Sequence, residues 1–192
     1  MKPKIFELHL SFSISMEFKK GQSYIIVYMK YTDQIKMLVL DVDGTMTDGK
    51  INVLESGDQF KQFNARDGLG IRMLVKKGVI VGIISHSVVG KAIEIRGKTL
   101  GVSHMYAGLE EKHDILEQWL EKMDFGYESV AFIGDDINDI PVMKKAAVSA
   151  CPSDAVSDVL SYVDVVLEKK GGHGCVREFI DNYIGISYEK IK

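Results

Sequence analysis

The stretch LVLDVDGTMTDG, residues 38–49, constrains this chain more than any other. An apolar run of strand length ends on two carboxylates, Asp41 and Asp43. Residues i and i+2 of an extended chain project to the same side, so both acids face one place. Acid beside a buried apolar strand is costly unless something pairs with it or binds there. Gly44 then lets the chain turn away. The design recurs downstream, where SVAFI at 129–133 runs into GDDIND with Asp135, Asp136 and Asp139.

Between and beyond these stretches, apolar runs alternate with helical patterns. Strands are expected at 37–40, 79–84, 104–106, 130–133, 148–150 and 163–167. Helices are expected at 67–77, 89–99, 111–123, 139–145 and 176–183. Asp67 reads as the N-cap of the first helix and Gly78 as its stop. Residues 50–64 alternate around Glu55-Ser56-Gly57-Asp58, the pattern of a hairpin. Repeated strand–helix units with apolar strands predict an α/β fold, a doubly wound parallel sheet covered on both faces. Ligands of such sheets bind beyond the carboxyl ends of the strands. If the strands ending at Asp41 and before Asp135 are neighbours, both acidic clusters meet at that edge.

The chain has 192 residues, enough for one such domain with a real core. Its formal net charge is −3 and it has no long basic run, which argues against nucleic acid as a partner. No apolar run reaches membrane-spanning length, which argues against a membrane span. Glu7 and His9 interrupt the apolar start, against a signal peptide. Cys151 and Cys175 lack Cys-x-x-Cys spacing, so a reduced, cytoplasmic context is expected.

Residues 1–35 differ from 36–192. Phe6, Leu8, Leu10, Phe12, Ile14, Met16 and Phe18 alternate with mostly polar residues. Lys19-Lys20-Gly21-Gln22-Ser23 can turn that strand into a second one at 24–29. Two readings stay open. One is a β-hairpin appendage at an interface. The other, which is preferred, is upstream sequence read in from a wrong start codon, with Met37 or Met29 the true start.

Several carboxylates converging on one edge repel each other, and a hard divalent cation resolves the repulsion. Oxygen ligands alone favour Mg²⁺. Mg²⁺ with carboxylates suggests phosphoryl transfer. Asp41 can attack phosphorus and form an aspartyl-phosphate. Asp43 can protonate the leaving oxygen and later activate water. Ser85, closing the strand VIVGIIS, can bind a phosphate oxygen, and Lys112, opening a helix, can neutralise the phosphate. A Ser after a strand is usually a turn residue and a Lys in a first helical turn is usually solvated. The order Asp-x-Asp, Ser, Lys, Gly-Asp-Asp lifts both above that background. Asp139 has a plain alternative as a cap for the helix carrying Pro141.

These four motifs, DVDGT, Ser85, Lys112 and GDDIND, resemble those of the haloacid dehalogenase superfamily of phosphatases. The resemblance implies Asp41 as nucleophile and Asp43 as acid/base. It implies Mg²⁺ held by Asp41, the Asp43 carbonyl and Asp135, with Asp136 and Asp139 supporting the metal. LVLDVDGTMTDGKI, FNARDGLGIRML, FIGDDINDIPVM and KKGGHGCVREFI narrow it to the 3-deoxy-D-manno-octulosonate 8-phosphate phosphatases. They are also similar to the nonulosonate 9-phosphate phosphatases acting on sialic-acid-type sugars. The likeness spans about 36–186. Neither the gap from Asp43 to Ser85 nor that from Lys112 to Asp135 can hold a cap domain.

In this subgroup homotetramers close the site. Hairpins after the first motif assemble, here residues 50–63, and a neighbour's C-terminal segment, here 171–178, reaches toward the site. A homotetramer acting on a sugar-acid phosphate is therefore implied. Arg66 and Arg177 are candidates for the sugar's carboxylate or phosphate, which Arg binds in bidentate fashion. Gly171, Gly172 and Gly174 suit a backbone that passes closely over something. One departure concerns the substrate. The octulosonate enzymes usually carry Thr-Gly-Arg after the second strand and the nonulosonate ones often Thr-Gly-Glu. This chain has Ser85-His86-Ser87. The hydroxyl is kept and the charged residue is not; His86 either stands in for it as a donor or, the preferred reading, faces solvent. NARDG leans toward the octulosonate branch, and the ending GISYEK toward the other.

A receiver-type phosphoacceptor signalling domain shares acids, Mg²⁺, a Ser/Thr and a Lys. It has no use for Asp43, because it has no alcohol leaving group to protonate. A catalytically dead oligomerisation module ranks last, since every expected catalytic residue type is present.

Overall fold

The computed structural model describes residues 11–19, 22–30 and 34–184. Phe6, Leu8 and Leu10 of the first expected strand, the turn residues Lys20 and Gly21, and the ending GISYEK lie outside the described residues. The expected N-terminal hairpin is present as β1 (Ser11–Lys19) and β2 (Gln22–Lys30), antiparallel, with Ile14 opposite Val27. β2 lies beside the last helical turn, Ile180–Ile184.

The rest is built on six parallel strands. They are β3 (Met37–Leu40), β6 (Ile80–Ser85), β7 (His104–Ala107), β8 (Val130–Ile133), β9 (Val148–Cys151) and β10 (Val165–Val166), in the order β10-β9-β8-β3-β6-β7. From β3 the chain moves one way to β6 and β7, then returns to the other side for β8, β9 and β10. The reversal beside β3 makes the switch-point crevice in which α/β sheets bind ligands. Two further strands, β4 (Asn52–Val53) and β5 (Gln59–Phe60), form the expected antiparallel flap.

Strand alternation sorts the core into two layers. Leu38 and Leu40 face one side with Ile71 and Leu74 of α1 (Ala65–Lys76), Ile93 of α2 (Lys91–Leu100) and Phe179 of α6 (Cys175–Phe179). Met37 and Val39 face the other with Leu116 and Leu120 of α3 (Lys112–Met123) and Val142 of α4 (Ile140–Met143). All four β3 side chains are fully buried, as a central strand sandwiched between helices requires. Each large apolar side chain so buried contributes roughly 1.5–3 kcal/mol relative to exposure.

The elements differ from expectation in three places. Asn64, not Asp67, caps α1: its side chain accepts from Arg66 N. Asp67 sits inside the first turn, buried, because a distant backbone group claims it. A short helix, α5 (Ser157–Leu160), was not anticipated. The strand expected at 163–167 shrinks to the two residues of β10, an edge strand.

Candidate active site

Asp41 is fixed by the sheet itself. Its N–H donates to Ile133 O at 2.9 Å, so the β3–β8 ladder runs on to the candidate nucleophile. Past it, Val42–Met46 makes one irregular turn in which Gly44 takes φ +92°. That glycine does more than turn the chain. A Cβ there would lie 2.0 Å from Asp135 Oδ2, so only glycine lets the two acidic loops meet. Thr45 completes the contact by donating from Oγ1 to Asp135 Oδ1 at 3.2 Å.

Oxygens of Asp41, Asp135 and Asp139 lie within 4.8 Å of one another. Lys112, the first residue of α3, reaches into the cluster, donating to Asp41 Oδ1 at 2.5 Å and Asp139 Oδ1 at 2.6 Å. Asp139 is fully buried, and its Oδ2 accepts from the N–H groups of Asp135 and Asp136. Its acceptor capacity is thus largely spent on holding the loop and Lys112. Asp41 and Asp135 keep the oxygens that can face a cation.

Charge crowding shows in the titration of these groups. Burial, and then the neighbouring Asp139 carboxylate, raise Asp41 well above the usual carboxylate range, against the pull of Lys112. Burial and Asp139 likewise push Asp135 up to about 6. Burial alone would lower the Lys112 ammonium, but Asp41 and Asp139 more than reverse that and raise it. A divalent cation would stabilise the charged carboxylates. An all-carboxylate donor set that is short of positive charge fits Mg²⁺.

Asp43, two residues on, is partly exposed, and its Oδ1 accepts from Lys61 Nζ at 2.5 Å. Ser85 is buried at the carboxyl end of β6, one strand over from β3. Asp41, Asp43, Asp135, Lys112 and Ser85 therefore share one edge of the sheet. Other expected site residues sit elsewhere. Asp136 is turned outward, and its Oδ1 accepts from Ile137 N at 2.7 Å. It caps a helical turn and is not part of the acidic cluster, because its backbone conformation commits the side chain to that turn. Asp139 is the other half of that capping box. Arg177 is turned to Asp181, with Nε 2.8 Å from both carboxylate oxygens, and lies across Gly70 of α1. Arg66 and His86 are exposed on the surface.

The glycine-rich segment does pass closely over something: this chain's own turn after Asp41. A Cβ on Gly171 would stand 1.8 Å from Gly44 O. Gly172 N and Cys175 Sγ both donate to Thr45 O, at 3.0 and 3.3 Å. Asp67 Oδ1 accepts from Arg177 N at 2.7 Å, clamping α6 to α1. Burial pushes the Asp67 carboxyl up to about 6, although that hydrogen bond opposes it.

Three residues escaped the sequence reading: Lys61, Thr45 as a brace on Asp135, and Asp67 as a clamp. Thr45 was quoted within DVDGT, and the hydroxyl beside the motif's glycine was the available signal. Lys61 and Asp67 gave none that local pattern could separate from a solvated lysine and a helix cap.

Residues 88–179 match the family model for haloacid dehalogenase-like hydrolases. The 3-deoxy-D-manno-octulosonate 8-phosphate phosphatase of Escherichia coli (strain B / BL21-DE3) is 39% identical over 80% of this chain and 81% of its own length. The crystal structure of the Yersinia pestis phosphatase of that name matches with TM-score 0.76 and 34% identity, covering 88% of this chain and 91% of that one. The Moraxella catarrhalis phosphatase, solved with a magnesium ion, a phosphate ion and a KDO molecule, matches with TM-score 0.74 and 31% identity, covering 77% and 84%. The chain belongs to the haloacid dehalogenase-like hydrolases, in the family of the 3-deoxy-D-manno-octulosonate 8-phosphate phosphatases.

Proposed function

We propose that this chain is a Mg²⁺-dependent phosphomonoesterase that removes phosphate from 3-deoxy-D-manno-octulosonate 8-phosphate. The observation that carries this reading is the convergence of Asp41, Asp135 and Lys112 at the switch-point edge, in a chain 39% identical to a phosphatase of that specificity.

Asp41 and Asp135 are the residues to hold the cation, with Asp139 and Thr45 bracing them. When bound, Mg²⁺ neutralises the phosphate's charge and so lets a carboxylate approach it. Asp41 then attacks phosphorus as the P–O ester bond breaks, giving an aspartyl-phosphate. Asp43 gives a proton to the departing alkoxide and later takes one from water, which releases phosphate from Asp41. Lys112, already paired with Asp41, and Ser85, at the end of the neighbouring strand, take the phosphate oxygens in this reading. Arg66 and His86, both exposed, remain the candidates for the sugar acid.

The flap supports a homotetramer. Ile51, Val53, Leu54 and Phe60 expose 60%, 60%, 50% and 43% of their surfaces, a cost that assembly removes. Two buried free thiols, Cys151 and Cys175, accord with a cytoplasmic enzyme. Among the described residues no helix is long and apolar enough to cross a membrane. The division into an extension, 1–35, and a catalytic domain, 36–192, belongs to the same reading. Mass spectrometry of the natural N-terminus tests it. A second substrate reading, a nonulosonate 9-phosphate, is favoured by Ser85-His86-Ser87, which lacks the octulosonate enzymes' arginine.

The experiment is phosphate release with Mg²⁺ from the octulosonate 8-phosphate, nonulosonate 9-phosphates and an aryl phosphate. The expected outcome is a strong preference for the octulosonate ester, lost by a factor on the order of 10⁴ or more in Asp41→Asn. Preference for a nonulosonate ester moves the chain to the other branch. No release from any ester removes the phosphatase reading.

A further inference from the structure

Each of the two catalytic carboxylates has its own lysine, and the two lysines come from different parts of the fold. Asp41 has Lys112, from the first turn of α3. Asp43 has Lys61, the residue that follows the flap strand β5. The Lys61 side chain is only 5% exposed. Lysine is almost never buried to this degree without a partner, because its compact ammonium is strongly hydrated and its long stem normally carries the charge out to water. Here the stem runs inward and ends 2.5 Å from Asp43 Oδ1.

The backbone around Lys61 is held from both sides. Phe60 pairs with Asn52 in the flap, and Phe63 packs against the core. Asn64 caps α1 and also donates from Nδ2 to Gly172 O at 3.1 Å. The ammonium therefore reaches Asp43 from the junction between the flap and α1, while the Asp43 loop itself follows an irregular path with non-helical backbone at Asp43 and Gly44. Lys61 engages one carboxylate oxygen and leaves the other for proton exchange.

We propose that Lys61 is a positioning residue, whose ammonium holds the Asp43 carboxyl toward the leaving oxygen and so couples the seating of the flap to proton transfer. The proposal rests on the phosphatase reading above. Proton transfer requires heavy atoms within hydrogen-bond reach, about 2.6–3.2 Å. A misplacement of about 1 Å can cost a factor of about 10² in rate. A carboxyl on an irregular, partly exposed loop does not hold such a position unaided.

The test compares wild type, Lys61→Met and Lys61→Arg on two esters. One is p-nitrophenyl phosphate, whose leaving group departs without a proton. The other is 3-deoxy-D-manno-octulosonate 8-phosphate, whose alkoxide needs one. In Lys61→Met, kcat/KM for the alkyl ester, which reports formation of the aspartyl-phosphate and not its hydrolysis, should fall at least about 30-fold while kcat/KM for the aryl ester falls less than about 3-fold. Lys61→Arg, which keeps a cation, should recover part of the alkyl loss. The melting temperature of Lys61→Met should fall only modestly, because the Asp43 carboxylate left without its cation is partly exposed and can be reached by water.

Equal losses in kcat/KM on both esters would overturn the proposal and make Lys61 a phosphate ligand. No loss in kcat/KM for the alkyl ester, or a loss explained by unfolding at the assay temperature, would overturn it too. If Lys61→Met does not fold, Lys61→Arg carries the test: a loss selective for the alkyl ester supports the proposal and an unselective one overturns it. Wild type inactive on both esters would be a different failure, that of the phosphatase reading itself.

Discussion

The carboxyl edge of the parallel sheet and the flap belong to one site but are built in opposite ways. At the edge, charged side chains are buried and each is held from several directions. Lys112 bridges two carboxylates, Asp139 takes two backbone N–H groups besides, and the β3–β8 ladder runs into Asp41. In the flap the situation is reversed. Two strands of two residues each expose Ile51, Val53, Leu54 and Phe60 to solvent. The edge is finished by its own packing, while the flap keeps an apolar face in solvent. Catalytic geometry tolerates little play, and core packing fixes the edge.

The largest effect is expected where the edge is broken. Lys112→Ala leaves Asp41 and Asp139 buried beside each other without their cation. Removing one partner of a buried ion pair typically costs about 3–5 kcal/mol. Urea unfolding without Mg²⁺ should show a loss of that size. Because the missing cation is replaced in kind by a metal, saturating Mg²⁺ should restore part of the stability but not the activity. A loss under about 1 kcal/mol would mean that the edge is no better determined than the flap.

The clamp behind the edge gives the next effect. Asp67 is buried with its carboxyl pushed up to about 6, and its Oδ2 has no hydrogen-bond partner among the described residues. A folded-state value above the unfolded one means that the group's contribution to stability is full below about pH 4 and is lost as pH rises through about 6. Between those limits Asp67 should make the protein less stable by at most about 3 kcal/mol. Asp67→Asn removes this dependence while keeping an acceptor for Arg177 N. The stability difference between wild type and variant, followed from pH 4 to 7, should therefore drift toward the variant. A constant difference would show that burial does not raise this carboxyl.

What could be read from the sequence follows the same division. The edge was legible because apolar runs ending in Asp41, Ser85 and Gly134-Asp135 announce both the strands and their termini. The parallel order then brings those ends together. The clamp was not legible, because Asp67 and Asn64 are equally good caps by local rule. Only a backbone N–H 110 residues away decides which of them is buried. Arg177 read as a substrate ligand from its residue type, yet Asp181 one turn on claims it. The glycines of 171–174 announced a close approach but could not name its object, which is Gly44 and Thr45 on the opposite end of the chain. Lys61 sits in an alternating hairpin, where a lysine reads as a solvent-facing residue, and its burial comes from the tertiary fold. α5 is a single turn, too short for any periodicity to reveal.

The smallest effect on stability should come from the flap, and it tests the comparison most directly. Ile51→Ser with Val53→Ser replaces two side chains that are each 60% exposed. Exposed substitutions away from buried features usually change the stability of a chain by about 0.5 kcal/mol or less. If the flap is finished by other copies, the same pair removes apolar area from every interface. Light scattering at micromolar concentration should then give a tetramer for wild type and a smaller species for the variant. Wild-type melting should rise with protein concentration, and the variant's should not, because association stabilises by mass action. Activity should fall in step with dissociation while Mg²⁺ binding stays, since the acidic edge lies wholly within one chain. A wild type that is monomeric and fully active would reverse the lesson: the exposed apolar face of the flap would then cover its own site unaided.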